Sequence, residues 1–438
     1  MDESRIKLEE RLLDRIKGSI NISHSLEVKE KAILDAFLGF CDGGEIKECR
    51  ESVNYLKDEN TKKEFLEELR SYGIINPLLD DPQVEDIVIN NIQPIYVHHA
   101  RDGLIKTDVQ FSSLRELDLL IKKILTFSGK RVLNKINNID LPLMRGRVNI
   151  VYSPFGPDLT IAKVRAQALS VIDLIENGTL NSEIAALLWL SIEGLRIRPA
   201  NILISGGPGS GKTTMLNALL GFIPSDQHLV VIEDSLELVT NWIGDVSSLE
   251  SDDKLSLADL VKNSLRMRPE RIVVGEVRGN EAQDMITAMN IGKYCMATIH
   301  ASTVRETIMR LQSNPMNVSE TMINLIDIIV VMKKIDTNGQ VHRVCDEIAE
   351  TAGLEQKMVL IGQLWKFDSA SANFRMVMPT TTYRDRLAEA SGLSGRLIFD
   401  EIKKRRDYLE RLVVEKIKDV KDVSVLCERY IRENKTVF

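Results

Sequence analysis

The chain has 438 residues, 44% of them hydrophobic and 28% charged, with a formal net charge of −7. That length exceeds one ordinary core and predicts two or three domains of soluble globular type. The acidic balance excludes bulk attraction to nucleic acid or anionic lipid, leaving only local basic stretches such as Lys122-Lys123 to Lys135.

Residues 1–71 are polar with helical periodicity: Leu8, Leu12, Leu13 and Ile16, then Leu34, Phe37 and Leu38. The run Lys62-Lys63-Glu64 to Glu67-Glu68 reads as a solvated helix face. Residues 72–165 change to short strands and turns, predicting a small α+β (PAS-like) N-terminal domain. Asp86–Asn90 and Ile95–His98 flank a turn and read as a hairpin, Leu114–Leu125 as an amphipathic helix, and Gly146–Val151 and Leu159–Ala162 as further strands. Residues 166–180 are expected to be a linker. From residue 181 to 438 the pattern predicts a doubly wound α/β core with a helical tail. Strands are expected near Ile202, Val230, Ile272, Met296 and Ile328, and helices near Met215, Leu257, Ala282 and Val304. The tail is helical from Thr382, and Ile402–Ile417 is charged and amphipathic.

The five cysteines, Cys41, Cys49, Cys295, Cys345 and Cys427, include no C-x-x-C pair, which argues against a disulfide scaffold or zinc ribbon and for a reducing cytoplasm. The charged Met1-Asp2-Glu3-Ser4-Arg5 leads into no apolar stretch, so no secretory signal is expected. No apolar run approaches the roughly 18 residues of a membrane span. Asp327–Met332 is apolar but ends at Lys333-Lys334.

Gly206-Gly207-Pro208-Gly209-Ser210-Gly211-Lys212-Thr213-Thr214 fits G-x-x-x-x-G-K-[ST] at every fixed position, between a buried strand and a helix. Glycines there let backbone N–H groups close around a phosphate, and the helix N-terminus adds favourable partial charge. Lys212 is expected to neutralise the β- and γ-phosphates of ATP, and the Thr213 hydroxyl to sit on Mg²⁺. Hydrolysis further needs an acid for the attacking water and cations for the developing charge. Three segments bring candidates to strand ends. Val230-Val231-Ile232-Glu233-Asp234 delivers two acids, though alone it reads equally as a turn with surface acids. Arg271-Ile272-Val273-Val274-Gly275-Glu276 has glycine where many ATPases carry a metal-binding aspartate, which leaves Glu276 nearest the phosphates. Met296-Ala297-Thr298-Ile299-His300 ends in a histidine suited to sensing or polarising the γ-phosphate; a lone histidine is more often structural. Arg266, Arg268 and Arg278 lie near these ends, and Arg147 and Arg165 lie in the first domain.

Taken in order, these segments resemble the secretion-ATPase superfamily, whose members power type II and type IV secretion, type IV pili, conjugation and the archaellum. The likeness spans about residues 72–350. Gly206–Thr214 resembles its first nucleotide motif, Ile232–Glu237 its aspartate box, Leu265–Gly279 its acidic motif (with glycine before glutamate in that family too) and Ala297–Ser302 its histidine box. Gly146-Arg147-Val148-Asn149 and Gly156–Ile161 are similar to upstream family segments. Lys403–Leu409 and Tyr430 are similar to the tail of archaeal members. Two departures stand out: Ala162-Lys163 where an arginine-lysine pair is usual, and Gly292-Lys293-Tyr294-Cys295 where histidine-aspartate-glycine is usual. A tetracysteine site is missing, which suggests an archaeal-like or tight-adherence-like subtype.

The resemblance implies that Glu233 is the catalytic base, that Glu276 assists through the metal and γ-phosphate, and that His300 senses the γ-phosphate. It implies Mg²⁺ held by Thr213 and Glu276, with Glu233 acting through water, and Arg147 and Arg165 as cations acting on a neighbouring subunit's ATP. It further implies a homo-hexameric, cytoplasmic motor that reaches the membrane through a polytopic inner-membrane platform protein, with no nucleic acid and no membrane span of its own. The alternatives are a RecA-like nucleic-acid translocase and a nucleotide-switched scaffold with little turnover.

Overall fold

A computed structural model describes residues 3–20, 24–42, 59–129, 134–141, 146–164, 167–252, 254–337, 339–356 and 358–434. The chain divides into two compact units, residues 1–166 with 338–341, and residues 167–337 with 342–438.

The first unit contains helices α1 (Glu3–Ile16), α2 (Leu26–Asp42), α3 (Glu59–Arg70) and α4 (Asn76–Asp80). Strands β1 (Val84–Asn90), β2 (Tyr96–His99) and β3 (Gly103–Lys106) follow, then α5 (Leu114–Ser128), β4 (Ile136–Leu141), β5 (Gly146–Ser153) and β6 (Gly156–Lys163). The strands form an antiparallel sheet in the order β3-β2-β1-β6-β5-β4. Helix α5 begins where Ser113 accepts the Glu116 N–H and ends at Gly129 in the left-handed region, a stop that glycine permits without strain. Leu8, Leu12 and Phe65 from the N-terminal helices share one core with Ile87, Ile124, Val148 and Ile161. Residues 1–71 and 72–165 thus bury apolar surface against each other. Lys123 on α5 donates to the Glu68 and Ser71 carbonyls and lies 3.2 Å from Glu9 on α1.

The second unit starts with α6 (Val171–Glu176) and α7 (Ser182–Glu193). Next come β7 (Ile202–Gly206), α8 (Lys212–Leu219), β8 (Leu229–Glu233), β9 (Val246–Glu250), α9 (Leu257–Ser264), β10 (Arg271–Val277), α10 (Glu281–Asn290), β11 (Tyr294–Ile299), α11 (Val304–Gln312) and α12 (Glu320–Ile323). The chain continues through β12 (Ile328–Thr337), β13 (Gln340–Glu355), β14 (Met358–Asp368) and β15 (Asn373–Met376) to α13 (Thr382–Ser391), α14 (Gly395–Val414) and α15 (Val420–Glu433). Its sheet runs β15-β14-β13-β12-β7-β11-β10-β8-β9, with parallel pairing from β12 to β9 and an antiparallel extension through β14 and β15. Parallel strands covered on both faces need near-continuous apolar sequence. Accordingly Ile202, Ile204, Val231, Val273 and Met296 enter one core, while Leu203, Val230, Val274 and Ala297 enter the other.

Three stretches go beyond the sequence expectation. Residues 166–180 hold α6, started by a reciprocal Ser170–Asp173 capping box and buried through Val171, Ile172 and Leu174. Strand β12 runs past Lys333-Lys334, because its apolar part marks only the portion covered by neighbours. The β13–β15 extension went unread, since much of β14 and β15 is exposed and carries no continuous apolar run.

The tail is integral to this unit. Buried Arg405 on α14 pairs with Glu193 on α7 and Glu401, each at 2.9 Å, and stacks over Trp189 at 4.7 Å. Buried Glu350 on β13 accepts from the N–H groups of Thr381, Thr382 and Tyr383 and from the hydroxyls of Thr380 and Thr381. It holds the N-terminus of α13, where a carboxylate meets unpaired donors and the positive end of the helix dipole.

Candidate active site

Strand β7 delivers the glycine loop to the carboxyl edge of the sheet, and α8 begins at Lys212. Two loop glycines are required by geometry. Gly211, just before α8, has φ +91, and a Cβ on Gly206 would lie 2.4 Å from Ser210 Oγ and 2.5 Å from the Met332 carbonyl of β12. Ser210 Oγ donates to the Gly207 carbonyl at 2.8 Å, tightening the loop.

Lys212 is buried, and its ammonium donates to Gly207 O at 3.1 Å and meets His300 Nδ1 at 3.2 Å. Burial pulls its pKa below the ordinary lysine value, against the opposing charge of Glu276. An ammonium has only hydrogens to offer, so Nδ1 accepts and His300 is the neutral tautomer with its proton on Nε2. His300 Nε2 lies 2.9 Å from Glu276 Oε1. Burial, then the neighbouring Lys212 charge, hold the imidazole below its usual pKa, which agrees with the neutral form. Glu276 Oε2 accepts from Arg278 at 2.6 Å, and Arg278 lies 3.6 Å from Asp234. Burial alone would raise the Glu276 pKa. The Arg278 hydrogen bond and the charges of Arg278 and Lys212 outweigh it and keep the carboxylate ionised.

The sheet order β7-β11-β10-β8 explains this gathering: Lys212, His300, Glu276 and Glu233 come from successive strand ends. Glu233 stands apart from the chain of contacts. It is 3% exposed, and its Oε1 accepts from the N–H groups of Glu237 and Leu238, each at 3.1 Å. Burial pushes its pKa up to about 7, only partly offset by those two bonds. Gly275, on the neighbouring strand, leaves room for it: a Cβ there would lie 2.8 Å from Glu233 Cγ. Thr298 Oγ1 fastens the Gly275 carbonyl at 2.5 Å.

Arg147 lies on β5 of the first unit, in register with Asp140 and Ala162. Arg165 lies outside the described residues. Sequence reading missed Arg343 on β13, whose Nε donates to the Gly209 carbonyl at 2.9 Å. No motif signals it, because the contact spans 134 residues.

Among the described residues no group of three or more His, Cys, Asp or Glu side chains forms a metal cage. The oxygen donors available are the Thr213 hydroxyl at the start of α8 and the Glu276 carboxylate, whose Oε1 is buried and faces His300 Nε2. That sparse oxygen set fits Mg²⁺, which retains waters and takes further ligands from phosphate.

A largely parallel sheet carrying a phosphate loop, with acids and a histidine on adjoining strand ends, following an N-terminal α+β unit in the sequence, defines a RecA-like P-loop NTPase fold. The chain belongs to the type II/IV secretion system protein family, whose model matches residues 69–435. An uncharacterised protein of Methanocaldococcus jannaschii is 31% identical over 373 residues, covering 80% of this chain and 66% of that protein. A second from the same organism is 36% identical over 233 residues, 50% of this chain and 32% of that one. The chain thus spans less than two thirds of the length of these two relatives. The type IV secretion system protein VirB11 of Bartonella henselae is 28% identical over 322 residues, covering 62% of this chain and 90% of VirB11. Among solved structures, the pilus retraction motor PilT with bound ADP aligns with TM-score 0.48 and 18% identity, over 76% of this chain and 89% of PilT. No described helix is long and apolar enough to cross a membrane.

Proposed function

We propose that this chain is an ATP-hydrolysing motor of a type II secretion or type IV pilus-like system, an archaellum-like one included, which converts Mg-ATP hydrolysis into motion between its two units. The observation that carries the reading is the chain of contacts Lys212–His300–Glu276–Arg278 on the edge that bears the phosphate loop. Its cations and neutral imidazole converge where a terminal phosphate gathers charge during cleavage.

The loop N–H groups and Lys212 bind the polyphosphate, and Lys212 turns from His300 to the phosphate when it arrives. Mg²⁺, when bound at Thr213 and Glu276, neutralises phosphate charge. Glu233, with a pKa near neutrality, takes the proton of the attacking water. The water oxygen bonds to the γ-phosphorus, the bond to the bridging oxygen breaks, and ADP and phosphate leave. Because Glu237 and Leu238 cover the carboxylate, this role requires the 234–238 loop to open. His300 reports whether the γ-phosphate is present. Arg147 and Arg165 act in trans within a homo-hexamer on the cytoplasmic side of a polytopic membrane platform protein. Family membership, and the type IV secretion system named for its relative VirB11, support this assignment.

The test is turnover of Mg-ATP by the purified full chain. Steady phosphate release that is lost in Lys212→Ala and Glu233→Gln supports the motor. Tight nucleotide binding without release in the wild type would instead favour the nucleotide-switched scaffold.

A further inference from the structure

The contact between Arg343 and the phosphate loop joins two parts of the second unit that no motif connects. Arg343 sits near the start of β13. Its Nε donates to the Gly209 carbonyl at 2.9 Å, and its Cδ lies 3.4 Å from where a Cβ on Gly211 would be. The loop it touches holds Gly209 and Gly211 at positive φ, a conformation that other residues adopt only with strain. A trans peptide is planar, so its carbonyl and the following N–H point in opposite directions. Holding the Gly209 carbonyl towards Arg343 therefore turns the Ser210 N–H away from it, towards Gly207, to which that N–H donates at 3.3 Å.

The same strand reaches the beginning of the unit. Two residues beyond Arg343, the Cys345 N–H donates to the Thr179 carbonyl at 2.8 Å. Thr179 in turn donates to Leu174 O, the last buried apolar residue of α6. Cys345 itself is fully packed in the same core as Val171 and Leu174. A continuous path of backbone bonds and one guanidinium thus runs from the phosphate loop through residues 343–345 to residues 171–180, the stretch by which the chain enters this unit.

We propose that Arg343 is a positioning residue that sets the phosphate loop for a polyphosphate and passes the loop's displacement along β13 to residues 171–180. It acts through the Gly209 peptide rather than on the reacting atoms. The inference rests on the nucleotide-binding reading of the loop and adds to it a route out of the site.

The experiment uses the full chain as wild type, Arg343→Ala, Arg343→Lys and Lys212→Ala. A fluorescent N-methylanthraniloyl ATP is titrated with Mg²⁺, and amide hydrogen exchange is followed in peptides covering 171–180 and 340–350. Arg343→Ala is expected to bind about tenfold more weakly, the size of one lost charge-assisted hydrogen bond, and Arg343→Lys to recover part of that loss. In the wild type, saturating nucleotide slows exchange in both peptides. In Arg343→Ala, saturated at higher concentration, the 171–180 peptide does not respond. If Arg343→Ala fails to fold, Arg343→Lys carries the test, with intermediate affinity and a reduced response. Wild-type affinity and an unchanged exchange response in either folded variant overturn the inference. Failure of the wild type to bind the probe overturns the nucleotide reading itself, and Lys212→Ala supplies the non-binding baseline that separates the two outcomes.

Discussion

Gly275 and Glu233 compete for one space: a side chain at 275 would begin 3.3 Å from Glu233 Oε1 and closer still to its Cγ. The glycine that replaces a metal-binding aspartate in the acidic motif is therefore part of how the neighbouring strand seats its glutamate. Gly275→Ala is expected to displace the Glu233 side chain, lowering kcat about tenfold or more while leaving nucleotide affinity within about twofold. Steady-state kinetics beside a binding titration check this, and an unchanged kcat removes the link between the two positions.

Glu233 should announce itself in the pH dependence of stability. Its pKa in the folded protein, about 7, lies above the ordinary 4.5, so the folded state holds a proton that the unfolded chain releases between those values. Stability from this group is present below pH 4.5 and is lost as pH rises towards 7. Glu233→Gln cannot lose that proton, so it should match the wild type near pH 4.5 and exceed it above pH 7 by about 3 kcal/mol. Urea denaturation at pH 5 and pH 8 measures the difference. In the wild type, turnover should rise through pH 7 as Glu233 ionises and becomes able to take the proton of water.

Lys212→Ala should abolish turnover, by about a hundredfold or more, and remove most nucleotide affinity. It also tests the network without any assay of activity. The Lys212 charge helps to hold the His300 pKa down, after burial, so removing it should let that pKa rise. An NMR titration of the His300 ring in both proteins reads the shift. A downward shift or none contradicts the Lys212–His300 contact.

Glu350 is expected to matter for folding rather than chemistry. It is 1% exposed, and its carboxylate answers three backbone donors and two hydroxyls at the start of α13. Burial would raise its pKa, but those hydrogen bonds more than compensate and bring it below the usual value. Its stabilisation is therefore complete above the ordinary carboxylate range and is lost as pH falls through the folded pKa. Glu350→Ala should cost about 3 kcal/mol at pH 7, with a smaller penalty in acid, measured by chemical denaturation.

Much of the second unit was legible because parallel strands buried on both faces must be written in apolar runs. Ile202–Ser205, Val230–Ile232, Ile272–Val274 and Met296–Ile299 are such runs, and each ends at a residue of the candidate site. Residues 171–176 were less legible, for a six-residue helix offers less than two turns of periodicity. The β13–β15 ladder was missed because exposed antiparallel strands tolerate polar residues. The Glu233 environment was invisible too. Nothing in the order of letters says that Gly275 lies across from it, or that the Glu237 and Leu238 amides fold back over its carboxylate. Arg343 escaped for the same reason, being brought to Gly209 by pairing between strands far apart in the chain.

The close approach of the Met332 carbonyl to Gly206 has one more implication. The floor beneath the phosphate-binding turn is laid by a strand that begins over a hundred residues downstream, so the nine letters of the motif are not a self-sufficient module. A fragment ending before Ile328 would keep every letter of the signature, yet leave the turn unsupported on one flank. Nucleotide recognition here is a property of the finished sheet.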